Sequence, residues 1–216
     1  HLEAATEDVV LFPDGTLGVA GVPTSALSWS EVAELARRGS SLPQPLLAET
    51  DFEQKDGSYP FGTHVSVVEV STETGSVRML RHIAVDDCGN ILNPMLVDGQ
   101  VHGGIAQGVG QSLIEQVVYD TDANPLSGTL MSYLIPTAPM LPRFEVSHTR
   151  TPSPLNPLGV KGIGEAATIG STPAVQNAVV DALSHLGIEH IDMPLTSARV
   201  WSALRRAAET TPSGAR

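Results

Sequence analysis

Residues 93–117 read NPMLVDGQVHGGIAQGVGQSLIEQV, and this stretch decides how the chain is layered. Asn93 is a good N-cap, and Pro94 suits the first helical position, where its missing N–H leaves nothing unpaired. Val97, Val101, Ile105, Val109, Leu113 and Val117 then recur at every fourth residue, an apolar stripe that predicts one long helix. Gly99, Gly103, Gly104, Gly108 and Gly110 interrupt it. Each costs about 0.5–1 kcal/mol relative to alanine in a helix interior. So many together point to a bulky group approaching the backbone, to a break in the helix, or to close packing on a neighbouring element. Gln100 and Gln107 stand among these small residues, and a buried amide is costly unless it is hydrogen-bonded.

On the N-terminal side, THVSVVEV (63–70) and SVRMLRHIAV (76–85) predict a hairpin around TETG, running into the polar strand end DDCGN (86–90). Earlier, VVLF (9–12) and TLGVAGV (16–22) flank PDG, a second hairpin. Ser28 and Glu31 form a capping box for a helix through Arg38, stopped by Gly39, and residues 40–60 read as an extended connection. On the C-terminal side, residues 125–158 are proline-rich, with a strand expected at LMSYLI (130–135). TPSPLNPLG (151–159) is an irregular loop, because each residue before a proline is pushed to extended geometry. A helix capped by Ser171 or Thr172, with Pro173 in its first turn and Gly187 at its end, is followed by a short strand IEHID (188–192). A last helix spans Ser197 to Ala208, with a loose tail from Glu209. Trp29 and Trp201 read as core. The element order indicates an α+β layer structure rather than a regular parallel α/β fold.

Composition narrows the function. Of 216 residues, 41% are apolar and 17% charged, which suits a globular domain. The net charge of −12 argues against a nucleic-acid partner. Arg37-Arg38 and Arg205-Arg206 read as solvated helix ends. No apolar run reaches the roughly 18 residues of a membrane span, and no signal peptide is visible, so a cytoplasmic setting is expected. Cys88 stands alone, which leaves no internal disulfide framework and no cysteine-rich metal site in this chain. Beginning at His1 rather than a methionine, the chain reads as a fragment or a processed piece.

The segment that stands out chemically is GVKGIGEAATIG (159–170), where Glu165 sits among Gly159, Gly162, Gly164 and Gly170. GIGEAA formally satisfies a dinucleotide fingerprint, G-x-G-x-x-A, but no buried strand precedes it. Two readings remain for Glu165: a loop residue accepting backbone hydrogen bonds, or a base in an apolar setting, where a carboxyl's pKa rises toward neutrality. Asp86, Asp87 and Cys88 read as a polar strand end before a metal cluster, and His102 as a bonded core histidine before a ligand.

VDGQVHGGIAQGVGQSLIEQVVYD, NPLGVKGIGEAATIGSTPAVQNAVVDAL and IDMPLTSARVW together resemble the C-terminal part of the molybdenum-binding large subunit of the xanthine oxidase family, in its aerobic carbon monoxide dehydrogenase-like branch. The resemblance covers residues 60–205. It implies a C-terminal molybdopterin-binding domain with mixed sheets and packed helices, in which residues 1–60 form a hairpin, helix and connection, 61–208 a cofactor-embracing core and 209–216 a tail. It makes Glu165 the catalytic base. That base would take a proton from a molybdenum-bound hydroxyl, which attacks an aldehyde or N-heterocycle carbon while hydride passes to the metal centre. By the same resemblance Gln107 and Gly108 lie against the molybdenum–pterin end of the cofactor, and Val160, Lys161, Gly162, Ile163 and Gly164 approach it through their backbone. The cofactor implied is molybdopterin cytosine dinucleotide, with iron–sulfur clusters and FAD on partner subunits beside the rest of the molybdenum subunit. Two alternatives stand beside the hydroxylase: a carbon monoxide dehydrogenase, and a split-subunit half or fragment that is inactive alone and structural within its complex.

Overall fold

The computed structural model describes residues 2–38, 49–53 and 55–210. The chain divides into two compact units, residues 1–53 and 54–216. In the first, β1 (Val9–Leu11), β2 (Leu17–Val19) and β3 (Val22–Leu27) form an antiparallel sheet in that order. The PDG turn closes as expected, with the Gly15 amide bonded to the Phe12 carbonyl. β3 was not foreseen. Helix α1 (Trp29–Arg38) starts on the anticipated capping box: Glu31 accepts from the Ser28 amide at 2.8 Å. Its arginines are exposed and paired with Glu34. Trp29 is also exposed, contrary to its reading as core. Gly39 and residues 40–48 lie outside the described residues.

The second unit is built on a three-stranded sheet, β4 (Phe61–Val70), β5 (Val77–Asp87) and β6 (Phe144–Thr149). β4 and β5 form the expected hairpin, antiparallel, and β6 adds to β5 in parallel. Gly75 in the hairpin turn is left-handed, and a Cβ there would meet the Ser197 carbonyl at 2.2 Å, so the C-terminal helix seats directly on the turn. β6 replaces the strand expected at residues 130–135. Those residues form turns, with the Ser132 and Tyr133 amides bonded to the Thr129 carbonyl and Leu130 and Met131 exposed. No neighbouring strand of the described residues offers them a ladder.

Helix α2 (Pro94–Leu113) begins as the sequence indicates, Asn93 accepting from the Leu96 amide. Val97, Val101, Ile105, Val109 and Leu113 are buried, while Val117 lies past its end and is exposed. Helix α3 (Ala166–Leu183) starts two turns earlier than expected and carries Pro173 in its interior. An internal proline costs about 3 kcal/mol in an exposed helix. Burial of Ala167, Ser171, Val175, Val179 and Leu183 offsets that cost, and Pro173 itself faces outward. Ser171 is therefore a packing residue, not a cap. Gly104 and Gly108 let α2 approach α3: a Cβ at Gly108 would lie 2.0 Å from Ser171 Oγ, and one at Gly104 2.8 Å from Ala167 Cβ. For these two glycines close packing is the answer. Gly99 and Gly103 face open space instead.

After Gly187, left-handed at φ 78°, residues 188–192 are irregular rather than a strand, although Ile188 and Ile191 are buried. Helix α4 (Ser197–Thr210) closes the core with Val200, Ala203 and Leu204. Trp201 is exposed and lies under Arg205 at 5.5 Å, a correction to its reading as core.

Candidate functional site

Residues 154–158 run through two turns rather than an extended path, and polar side chains fix the chain there. Asn156 clamps Val160 from both sides, accepting from its amide at 3.1 Å and donating to its carbonyl at 2.9 Å. The Gly159 carbonyl accepts from the amides of Asn90 and Ser153, and the Lys161 amide donates to the Cys88 carbonyl at 2.8 Å. The polar strand end is thus the docking edge of the glycine loop. No group of three or more metal-ligating side chains occurs among the described residues. Burial pushes the Cys88 thiol up, with the Asp87 charge adding to it, so the thiol stays protonated.

Asp87 is fully buried and receives the Gly89 amide at 2.9 Å, Thr149 Oγ1 at 3.0 Å and Lys161 Nζ at 3.0 Å. Burial alone would raise its carboxyl. The bonds from Gly89, Lys161, Thr151 and Thr149 outweigh it and hold the pKa at about 2.

Beyond Lys161 the loop opens onto a cavity of about 460 Å³. Tyr59, Pro60, Phe61 and Ile169 supply its apolar walls, Gly162, Gly164 and Glu165 one rim, and His64 and Asp86 a polar floor. Among the described residues no acceptor engages the amides of Gly162, Ile163, Gly164 or Glu165. Of these, Gly162, Gly164 and Glu165 line the cavity, and a backbone amide left without a protein acceptor can take one from a ligand. Glu165 precedes α3 without capping it and is exposed, not enclosed in the dry apolar setting anticipated.

Reading the sequence alone misses the floor. His64 Nε2 lies 3.2 Å from Asp86 Oδ1, His64 Nδ1 lies 3.1 Å from His82 Nε2, and His82 Nδ1 lies 2.8 Å from Ser66 Oγ. Asp86 and His82 are buried, and burial, aided by His64 and partly opposed by Asp86, lowers His82 to about 4. With His82 neutral, the contacts allow one run of donors, from Ser66 to His82, from His82 to His64 and from His64 to Asp86. Period-two spacing could have signalled the cluster: His64 and Ser66 alternate on one strand, and Asp86 pairs with Gly62 across the ladder. A Cβ at Gly62 would lie 2.2 Å from Asp86 Oδ1, and one at Gly170 2.7 Å from the His64 ring, so both glycines make room for the couple.

Of the residues singled out beforehand, Gly162, Gly164 and Glu165 share the cavity, and Gln100 Nε2 lies 3.4 Å from where a Gly164 Cβ would stand. Gln107 lines a second cavity of about 380 Å³ with Gln111, Glu115, Tyr133 and Thr168. Gly108 is covered by α3, Ile163 packs against the core, and Val160 and Lys161 already have their amides engaged. His102 is exposed at the edge of Phe144, at 5.7 Å, rather than a bonded core histidine. The loop, not a strand, leads into GIGEAA, against a dinucleotide fingerprint.

The cavity thus lies between a glycine loop and a helix start, backed by a small mixed sheet. Residues 1–142 fit the family model described as "Molybdopterin cofactor-binding domain", and the chain belongs to that family. It is homologous to the large subunits of the xanthine oxidase and carbon monoxide dehydrogenase-like group. It is 44% identical over 154 residues to the carbon monoxide dehydrogenase large chain of Hydrogenophaga pseudoflava, covering 71% of this chain and 19% of that one. To the nicotine 6-hydroxylase large subunit of Paenarthrobacter nicotinovorans it is 38% identical over 209 residues, covering 94% of this chain and 26% of that one. The crystal structure of quinoline 2-oxidoreductase from Pseudomonas putida 86 superposes with a TM-score of 0.82 at 41% identity, over 94% of this chain and 26% of that one. The chain thus spans between about a fifth and about a quarter of the length of these relatives. No helix among the described residues is long and apolar enough to cross a membrane.

Proposed function

We propose that this chain is the C-terminal, cofactor-embracing part of a molybdenum hydroxylase-type oxidoreductase, with residues 61–208 as its core and Glu165 as the catalytic base. The observation that carries this is the juxtaposition of an exposed carboxylate with the amide strip 162–165 on one cavity rim. The residues fit a large pterin: glycines admit its bulk without Cβ clashes, and unengaged amides meet its acceptor atoms. Gly162, Ile163 and Gly164 would offer the backbone contacts. Val160 and Lys161 hold that strip against the strand end, Gly108 lets α2 close on α3, and Gln107 would offer its amide to the cofactor from the second cavity. Molybdopterin cytosine dinucleotide is the form we assign, and when bound it supplies the two-electron redox chemistry.

Glu165 would accept the proton released as oxygen is delivered to an electrophilic carbon of an aldehyde or an aromatic N-heterocycle. Tyr59, Pro60, Phe61 and Ile169 would present an apolar face to the substrate on that side of the cavity. Activity would require the rest of the molybdenum subunit, with iron–sulfur and FAD subunits as electron acceptors, in a cytoplasmic complex.

Two measurements on the assembled complex test this. Elemental analysis and acid hydrolysis should give about one molybdenum and one CMP per large subunit, and their absence would make the chain a structural domain. Glu165→Gln should lower kcat by about 10²–10⁴-fold with molybdenum content unchanged. Full activity in that variant would remove Glu165 from the chemistry.

A further inference from the structure

We propose that Lys161 is a positioning residue whose buried ammonium locks two walls of the cavity together. Its role would be played by the side chain, not by contact with a ligand. The proposal deepens the assignment of Glu165 as base and rests on it.

Lys161 reaches back from the loop to Asp87 at 3.0 Å, with only 8% of its side chain exposed and none of its partner's. On its other side the ammonium stands 4.5 Å from the centre of the Phe61 ring. Phe61 and Asp87 are themselves cross-strand partners, the last pair of the β4–β5 ladder. One cation therefore ties together the end of β4, the end of β5 and the loop. Phe61 and Glu165 both line the cavity, and Glu165 follows Lys161 by four residues.

Position along the chain gives the contact its consequence. The backbone bonds that dock the loop end at the Lys161 amide. Gly162, Ile163 and Gly164 follow without such bonds, and order resumes where the Ala166 amide meets the Ile163 carbonyl at the start of α3. Two of these three residues are glycines, the least constrained of all residues. The buried Lys161 side chain is the last polar anchor of the loop before Glu165, and the apolar contact of Ile163 with the core follows it. A buried pair of this kind specifies one arrangement more than it adds stability.

The test uses the full-length subunit in its complex, comparing Lys161→Met, which removes the charge, with Lys161→Arg, which keeps it. Hydrogen exchange read by mass spectrometry should quicken about ten-fold or more in the peptide covering residues 159–166 of Lys161→Met, with α2 and the β4–β5 hairpin unchanged. That readout does not depend on turnover. In the same variant kcat should fall about 10²-fold with KM and molybdenum content nearly unchanged, since small misplacement of a reacting group is enough. Lys161→Arg should recover most of both.

Unchanged exchange in the 159–166 peptide would overturn the proposal. So would faster exchange throughout the unit together with loss of molybdenum, because Lys161 would then be a general stabiliser. If Glu165→Gln retains activity, the functional assignment fails, while the local exchange result still decides whether Lys161 orders the loop.

Discussion

A glycine can be bare for two opposite reasons, and the cavity contains both. A Cβ at Gly170 would strike the His64 ring at 2.7 Å, whereas one at Gly162 would meet nothing within 4 Å. Gly170→Ala should therefore destabilise the folded chain by about 1–3 kcal/mol, because the buried ring has nowhere to move. Gly162→Ala should leave the melting temperature within a degree or so but lower the molybdenum and CMP content of the complex if a pterin lies against it. Equal stability losses in the two would mean that Gly162 is a packing residue too. The sequence made Glu165 conspicuous through this glycine strip. Its exposure was not legible, because a string of small neighbours looks alike whether this chain or a ligand fills the space before it.

Among the elements, α2 was readable because local signals agree: Asn93 and Pro94 start it, and the four-residue stripe buries one side. α3 was misread because Pro173 resembles a helix start. Its true beginning is set by tertiary packing, which local preference does not report. β6 was missed for a related reason, since its parallel partner β5 lies 62 residues away at the Asp86–His148 pair. The α2–α3 contact separates substitutions sharply. Gly108→Ala should cost about 1–3 kcal/mol against Ser171, while Gly103→Ala, with open space around it, should stabilise by about 0.4–1 kcal/mol in urea unfolding.

The β4–β5 hairpin adds a pH dependence. Unfolded His82 titrates near its ordinary 6.5 and folded His82 at about 4, so between those values the unfolded chain holds the extra proton. Stability contributed by neutral His82 is complete above the upper value and is lost on acidification toward the lower one, at no more than about 1.4 kcal/mol per pH unit. Asp87 acts only in more acidic solution, since its carboxyl, at about 2, keeps its bonds until well below pH 4. His82→Gln should flatten the stability profile between about pH 4 and about pH 6.5. An unaltered slope would mean that His82 is not buried neutral in solution.

At the scale of the molecule, composition and surface disagree. A net charge of −12 favours solubility, yet Leu126, Leu130, Met131, Leu134 and Ile135 are all more than half exposed within ten residues. Exposed apolar side chains are ordinary singly and mark an interaction site where they are contiguous. The chain spans only 19–26% of the relatives compared above, so ample polypeptide of the proposed large subunit is available to cover it. Alone in solution, this chain should bind a hydrophobic dye and self-associate as its concentration rises. Replacing Leu130 and Met131 by glutamate should suppress both without lowering the melting temperature, because neither side chain contributes to the core. In the assembled complex the same double substitution should instead weaken subunit recovery on gel filtration. Intact recovery there, with dye binding lost in the isolated chain, would mean that the patch is bare in the working enzyme and that another surface joins this piece to the rest.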